Sequence, residues 1–330
     1  MKKVNWAVMG PGRITEEFIP ALLYVEGAHP YAVASRSIDR AKAAQTRYGF
    51  EKAYGSYEEL VADKNIDVIY IATPTACHFE NAKLCLENGH NVLCEKSVTL
   101  NVDQFNELVE IAKANNVFFM EGVWMQFHPA FRKAVEWVRD GKIGNAKYIK
   151  AELAWEHPYD ANDRIFAKRL GAGTLLDLGV YTFGFACSVF GFDYDRLHAV
   201  ANFGPDGADI DSNVQLCYPN GSFASLMMGY CFSTTGEAII AGDNGKIVFT
   251  ERFHDAQRVY LYDENYELVE EFDGTFPCTG FEQEIEHVND CLAKGLKESP
   301  IVSFDYTRAI FNVINDCEAQ FEDARAKLGL

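Results

Sequence analysis

Three side chains in this sequence stand where a proton or a negative oxygen could be handled. The apolar run Asn91-Val92-Leu93-Cys94 stops abruptly on two opposite charges, Glu95 and Lys96. In an open parallel α/β sheet, ligands sit beyond the carboxyl ends of the strands, so a Lys at that point presents an ammonium to whatever binds. Further on, Gly171-Ala172-Gly173-Thr174 leads into Leu175-Leu176-Asp177-Leu178-Gly179-Val180-Tyr181. With Thr174 as helix N-cap, Asp177 and Tyr181 fall one turn apart on the same face, a carboxylate and a phenol able to hold or pass a proton. Each feature has a plainer reading. Glu95 and Lys96 can mark a strand re-entering solvent, Asp177 can be the capping partner of Thr174, and Tyr181 can be a core aromatic. Residue types alone leave both readings open.

The elements that must position these groups begin with a strand, Val4 to Met9, a tight turn at Gly10-Pro11-Gly12 and a helix from Ile14 to Val25. A Gly-x-Gly turn between strand and helix lets backbone N–H groups approach a pyrophosphate, so Gly10, Gly12, Arg13 and Ile14 are candidate cofactor residues. Thr15 stands where the third Gly or Ala of that motif usually lies. The next strand, Tyr31 to Ala34, ends in Ser35-Arg36-Ser37. An acid there would bond the ribose 2′-hydroxyl of NAD, whereas neutral Ser35 with Arg36, and Arg40 one turn on, suits the 2′-phosphate of NADP. NADP is therefore expected, and Asp39 keeps NAD open. A strand from Asp67 to Ala72 closes on Thr73-Pro74 with His78 near the following helix start, so these three are candidates for the same crevice, as are Glu95 and Lys96. His78 can equally be a helix-start residue bonding nearby backbone.

At 330 residues the chain suffices for two domains, expected at 1–121 for the cofactor and 122–330 for substrate and oligomerisation, with packing of the last helix back on the first domain left open. The first alternates strand and helix, implying a Rossmann-type doubly wound parallel sheet. The second carries β-rich runs between Lys147 and Phe272 punctuated by Pro219-Asn220-Gly221 and Asp243-Asn244-Gly245. It predicts a large, mostly antiparallel open sheet covered by helices on one face, and so an α/β plus α+β protein. The other face of such a sheet has to be buried, and a second copy of the chain would do it, making a homodimer expected. Two closing helices, Phe281 to Leu292 and Tyr306 to Ala326, carry stripes that suggest core packing only.

A formal net charge of −18 argues against nucleic acid or an anionic membrane as partner and for a small-molecule substrate. No apolar run approaches the ~20 residues of a membrane span, and Lys2-Lys3 leads into only a short apolar run, so no signal peptide is expected. Nine scattered cysteines without a C-x-x-C pair fit small buried hydrophobes in a reducing, cytoplasmic setting. Neither they nor the eight histidines have metal-ligand spacing.

Taken together, Gly10-x-Gly12, Ala72-Thr73-Pro74-x-x-x-His78, Val92-Leu93-Cys94-Glu95-Lys96 and the glycine-rich turn into Asp177-x-x-x-Tyr181 resemble the Gfo/Idh/MocA oxidoreductase family. Trp124, the Leu175 to Tyr181 run, Gly280-Phe281-Glu282 with Glu284-Ile285, and Glu298-Ser299-Pro300 resemble its dimeric dihydrodiol dehydrogenase branch, which is NADP-dependent. The resemblance implies hydride transfer at a secondary alcohol or carbonyl of a small cyclic diol, sugar or polyol. It implies that Lys96 and Tyr181 meet across the nicotinamide with Asp177 nearby and Trp124 walling the substrate pocket. Ser97 departs from the family, which usually has Pro after its Glu-Lys. Two other functions stay open: an NAD-dependent sugar or inositol dehydrogenase, and a dinucleotide-binding sensor without turnover.

Overall fold

The structure, a computed structural model, describes residues 3–329, so Lys2 of the N-terminal pair lies outside it. The chain forms two compact units, Met1–Trp124 with Phe276–Arg308, and Met125–Thr275 with Ala309–Leu330. The first unit runs to Trp124 where residue 121 was expected, and the segment that returns to it is Phe276–Arg308.

In the first unit, elements run β1 (Val4–Met9), α1 (Thr15–Tyr24), β2 (Ala28–Ala34), α2 (Ile38–Tyr48), β3 (Lys52–Tyr54), α3 (Tyr57–Ala62), β4 (Val68–Ile71), α4 (His78–Glu87), β5 (Asn91–Glu95), α5 (Val102–Ala114) and β6 (Phe119–Gly122). The six strands are all parallel in the order β3-β2-β1-β4-β5-β6. Strands buried on both faces read as continuous apolar runs, as Val68–Ile71 does with all four residues buried. Helix starts follow their capping residues: Ser37, Ser56 and Asn101 accept from the backbone N–H groups of Arg40, Glu59 and Gln104. The strand order reverses between β1 and β4, which opens a crevice at their carboxyl ends.

The second unit contains α6 (Pro129–Arg139), β7 (Ala146–Ala154), α7 (Thr174–Asp177), α8 (Gly179–Phe190), β8 (Arg196–Phe203), β9 (Asp209–Cys217), β10 (Phe223–Gly229), β11 (Ala238–Gly242), β12 (Gly245–Phe249), β13 (Arg258–Asp263) and β14 (Leu268–Asp273). Its eight strands lie in the order β14-β13-β12-β11-β7-β10-β9-β8, antiparallel except for the β7–β10 pair. Along β10, Ala224, Leu226 and Met228 are buried while the alternating Phe223 is exposed and Ser225 and Met227 are half-buried, so one face is packed and the other open. Helices α6 and α8 cover the packed face. The stretch Lys168–Phe190 corrects the expectation about apolar runs: by length and composition it is apolar enough to pass for a membrane span. Breaks between a short 3-10 turn, α7 and α8 divide it, and 72% of that window is buried within the fold.

The chain closes with α9 (Glu282–Ala293) and α10 (Phe304–Leu328). Within the first unit, Trp6 Nε1 donates to Asn289 of α9 at 3.0 Å, and Phe18 stacks on Tyr70 with centroids 3.5 Å apart. Five of the nine cysteines are buried as small hydrophobes, while Cys77 and Cys231 are exposed.

Candidate active site

The first unit brings its candidate residues to the carboxyl ends of its strands. Gly10 has φ of 85°, and a Cβ there would sit 2.7 Å from Thr73 Cγ2, so the turn after β1 must be glycine to pack against Thr73. Helix α1 begins at Ile14 with no side-chain cap, leaving backbone donors of the Gly12 to Ile14 turn to a ligand. These features fit the diphosphate of a dinucleotide. At the end of β2, Ser35 is buried, and Arg36 and Arg40 are exposed. Both guanidiniums lie close enough to Tyr57 for their charges to oppose the upward push that burial gives its hydroxyl. Tyr57 was not singled out in the sequence, because an aromatic in a short helix carries no ligand signal.

Lys96 is half-buried just beyond β5, and its peptide bond to Ser97 is cis. The backbone around it is held from two sides. His78, 1% exposed, engages the carbonyl of Ser97 through Nδ1 at 2.8 Å and that of Thr73 through Nε2 at 2.6 Å. Burial lowers its pKa, against the pull of those carbonyls. His78 thus serves the crevice by tying the ends of β4 and β5 together. On the other side, Glu121 of β6 accepts from Val98 N at 3.0 Å through Oε1 and from the Thr307 hydroxyl at 2.9 Å through Oε2. Asn81 bonds the Thr73 hydroxyl at 2.9 Å.

At Glu95, Tyr70 donates its hydroxyl to Oε1, and Lys96 N donates to Oε2 at 3.3 Å. Two further carboxyls, to which sequence reasoning gave no role, sit nearby. Burial pushes Glu121 up to about 7, while the bonds from Val98 and Thr307 and the Lys96 charge pull it down. Glu284 on α9 is fully buried with no hydrogen-bond partner at either carboxyl oxygen among the described residues. Burial, then the charges of Glu95 and Glu121, hold it well above the usual carboxylate range. Trp124 stacks on Phe281 with centroids 4.5 Å apart, over the left-handed turn at Gly280.

In the second unit, the glycine-rich stretch differs in detail from its expected capping. Gly173, φ 130°, is the N-cap, and Thr174 is the first helical residue. The cap is supplied by buried Asp209, which accepts from Leu175 N at 2.8 Å and from the Thr174 hydroxyl at 2.7 Å. A Cβ on Gly173 would lie 2.2 Å from that carboxylate. Asp177 is therefore not needed for capping. Its Oδ2 accepts from the Tyr230 hydroxyl at 2.5 Å, and Arg164 lies 3.6 Å from Oδ1. Tyr181, 8% exposed, sits in the first turn of α8 with its ring 5.3 Å from that of His254. The second unit thus assembles Asp177, Tyr230 and Arg164 as one polar group. Sequence reasoning missed Tyr230, although it follows Gly229 at the end of β10 much as Lys96 follows β5, because a Tyr ending a strand is ordinary core chemistry.

Comparison with known proteins agrees with this architecture. Residues 4–123 match the family model of the Gfo/Idh/MocA oxidoreductases, NAD-binding Rossmann fold, and residues 131–248 match the Gfo/Idh/MocA C-terminal domain. The trans-1,2-dihydrobenzene-1,2-diol dehydrogenase of Xenopus tropicalis is 32% identical over 327 residues, covering 96% of this chain and 97% of that protein. Among solved structures, a 3-ketoreductase from Actinomadura kijaniata in complex with NADP and TDP-benzene superposes with a TM-score of 0.83 at 25% identity, covering 95% of this chain and 96% of that one. Aldose-aldose oxidoreductase from Caulobacter crescentus, complexed with glycerol, shares the fold with a TM-score of 0.87 at 20% identity over 98% and 99% of the two chains.

Proposed function

The chain belongs to the Gfo/Idh/MocA oxidoreductase family, and from that premise we propose that it is an NADP-dependent dehydrogenase of small cyclic vicinal diols, sugars or polyols, with Lys96 and Tyr181 as the proton-handling pair. It is an oxidoreductase acting on CH–OH groups and uses a nicotinamide cofactor. The finer assignment is supported above all by Lys96, an ammonium at the carboxyl end of a parallel strand whose following backbone is tied down by His78 and Glu121.

The turn of Gly10, Gly12, Arg13 and Ile14 would hold the cofactor diphosphate, Thr73 and Pro74 would border it, and Ser35, Arg36 and Arg40 would receive the 2′-phosphate. When bound, the nicotinamide exchanges a hydride with the substrate carbon. The residues of this chain manage the oxygen. Lys96 donates to it and stabilises the negative charge that builds there. Tyr181 gives the proton in carbonyl reduction and takes it in alcohol oxidation; a phenol of ordinary pKa about 10 is a weak base, and a nearby ammonium favours its phenolate. Asp177, held by Tyr230, orients a substrate hydroxyl, and Trp124 forms an apolar wall. The open face of the eight-stranded sheet joins two copies as a homodimer.

Turnover of trans-1,2-cyclohexanediol, glucose and myo-inositol with NADP and with NAD tests this assignment. Preference for the diol with NADP, lost in Lys96→Met and Tyr181→Phe while NADPH binding persists, supports it. Undiminished turnover in either variant rejects the pair, and preference for myo-inositol with NAD supports the second reading, which exposed Asp39 in the first turn of α2 favours.

A further inference from the structure

Within the second unit, the hydrogen bond between Tyr230 and Asp177 joins two elements that are each held from the start of β9. The register of β9 against β8 shifts there: Asp211 lies opposite Asn202 and Asp209 opposite Phe203, so Ile210 is an extra residue on β9. On either side of it, Asp209 reaches the backbone of α7 and Asp211 reaches the backbone just beyond β10.

At the α7 end, three donors converge on Asp209 Oδ2: Thr174 Oγ1 at 2.7 Å, Leu175 N at 2.8 Å and Ser212 Oγ at 3.3 Å. Helix α7 is a single turn, in which Asp177 N donates to the Gly173 carbonyl at 3.0 Å and Leu178 N to that of Thr174 at 2.9 Å. Where its first residues sit therefore sets where Asp177 sits. At the β10 end, Asp211 Oδ1 accepts from Tyr230 N and Cys231 N, each at 3.1 Å, and its Oδ2 accepts from Asn202 Nδ2 at 3.3 Å. Tyr230 N is shared with the Ile210 carbonyl at 2.9 Å. Both carboxylates need a glycine beside the backbone they hold. A Cβ on Gly173 would lie 2.2 Å from Asp209 Oδ1, and one on Gly229 would lie 2.9 Å from Asp211 Oδ1.

We propose that Asp209 and Asp211 are positioning residues for Asp177: they grip the backbone at Leu175 and at Tyr230 and so fix the carboxylate and the phenol whose hydrogen bond aims that carboxylate. Side chains on separate elements keep a productive geometry only when their supports hold them to within about 0.5 Å. A one-turn helix and the residue after a strand cannot supply that by themselves, and β9 supplies it to both. The role of Asp177 toward a substrate hydroxyl comes from the proposed function, on which this inference rests, but its hydrogen bond to Tyr230 can be read without turnover. Asparagine at either position keeps a carbonyl oxygen where the donors converge, whereas alanine removes the grip.

The test is carbon-13 NMR of the full chain labelled at tyrosine Cζ, with the Tyr230 resonance assigned by its absence in Tyr230→Phe. Asp177→Ala gives the position of that resonance without the carboxylate. Asp209→Ala and Asp211→Ala should each move it toward that position, while Asp209→Asn and Asp211→Asn should leave it where wild type has it. Thr174→Val removes one donor to Asp209 and should give a smaller move in the same direction, which keeps the α7 end measurable if alanine at 209 prevents folding. In each alanine variant kcat/KM for the diol should fall about tenfold with the Kd for NADPH unchanged, and combining Asp211→Ala with Tyr230→Phe should cost little more than Tyr230→Phe alone. A resonance unmoved in Asp211→Ala, or in the folded variant at the Asp209 end, overturns the proposal even if Tm falls, as do losses that simply add in the double variant. Full turnover in Asp177→Ala overturns the substrate role of Asp177 instead, and the resonance then decides the positioning.

Discussion

Tyr230, the residue after β10, donates its hydroxyl to Asp177, the last residue of α7, at 2.5 Å. Tyr230 is fully buried, and burial, then the Asp177 charge, holds its phenol well above the ordinary value, so it donates at any working pH. That hydroxyl is a close donor to Oδ2, whereas Arg164, 60% exposed, lies 3.6 Å from Oδ1. Tyr230→Phe should therefore lower kcat/KM for the diol about tenfold, the cost of a hydrogen bond to a charged group, without changing the Kd for NADPH. Steady-state kinetics beside a fluorescence titration of NADPH separates the two; a variant that weakens cofactor and substrate alike contradicts the assignment.

The exposed pair Arg36 and Arg40 should decide the cofactor. Arg36→Ala is expected to raise the Kd for NADPH about tenfold or more, a charge-assisted contact to phosphate being lost, and to leave NADH nearly unaffected. Arg40→Ala should act in the same direction more weakly. Equal losses for both cofactors would move the 2′-phosphate site elsewhere.

Glu284 makes stability depend on pH in an unusual direction. Its folded pKa lies above the unfolded value of about 4.3, so the folded chain keeps a proton that the unfolded chain releases. Its contribution is fully present below that unfolded pKa and is lost as pH rises, by about 1.4 kcal/mol per pH unit until the folded pKa is reached. Glu284→Gln removes this dependence. Thermal melts should show little difference from wild type at pH 5 and a higher Tm for the variant at pH 8. A variant less stable at both pH values would mean that the carboxyl makes a bond the amide cannot.

Val200 and Phe223 lie 68% and 44% exposed on the open face of the second unit's sheet, and Tyr148 packs beside Phe223 with ring centroids 5.0 Å apart. Large apolar side chains exposed on one sheet face are the surface that the proposed homodimer would bury. Sedimentation of Val200→Glu and Phe223→Asp should give the monomer where wild type gives the dimer. Wild-type protein that sediments as a monomer ends that proposal.

Much of the first unit was legible because a parallel sheet buried on both faces writes itself as apolar runs bounded by turns. That pattern gave the strands, and the strand ends then exposed Ser35-Arg36, Thr73-Pro74 and Lys96 as residues lying at one rim of the sheet. The Gly10 turn was legible for a related reason, since a left-handed residue packed against Thr73 accepts only glycine. The Ser97 that replaces the family's usual Pro keeps its place through its carbonyl, which His78 holds, a contact made by a side chain 19 residues away.

The carboxyls were not legible. Glu284 stands beside Ile285 at the border of an amphipathic stripe, where a charge ordinarily faces water, and Glu121 follows Met120 like the polar end of any strand. Only after Phe276–Arg308 packs into the first unit do both become buried. Local sequence determined the strands, turns, helix starts and the residue types at the sheet's rim, because backbone geometry and apolar periodicity act over a few residues. Tertiary structure alone decided which charges lost their water, which hydroxyl reached Asp177 and which carboxylate stands behind Lys96, because those follow from contacts spanning from 23 residues, between Val98 and Glu121, to 186, between Glu121 and Thr307.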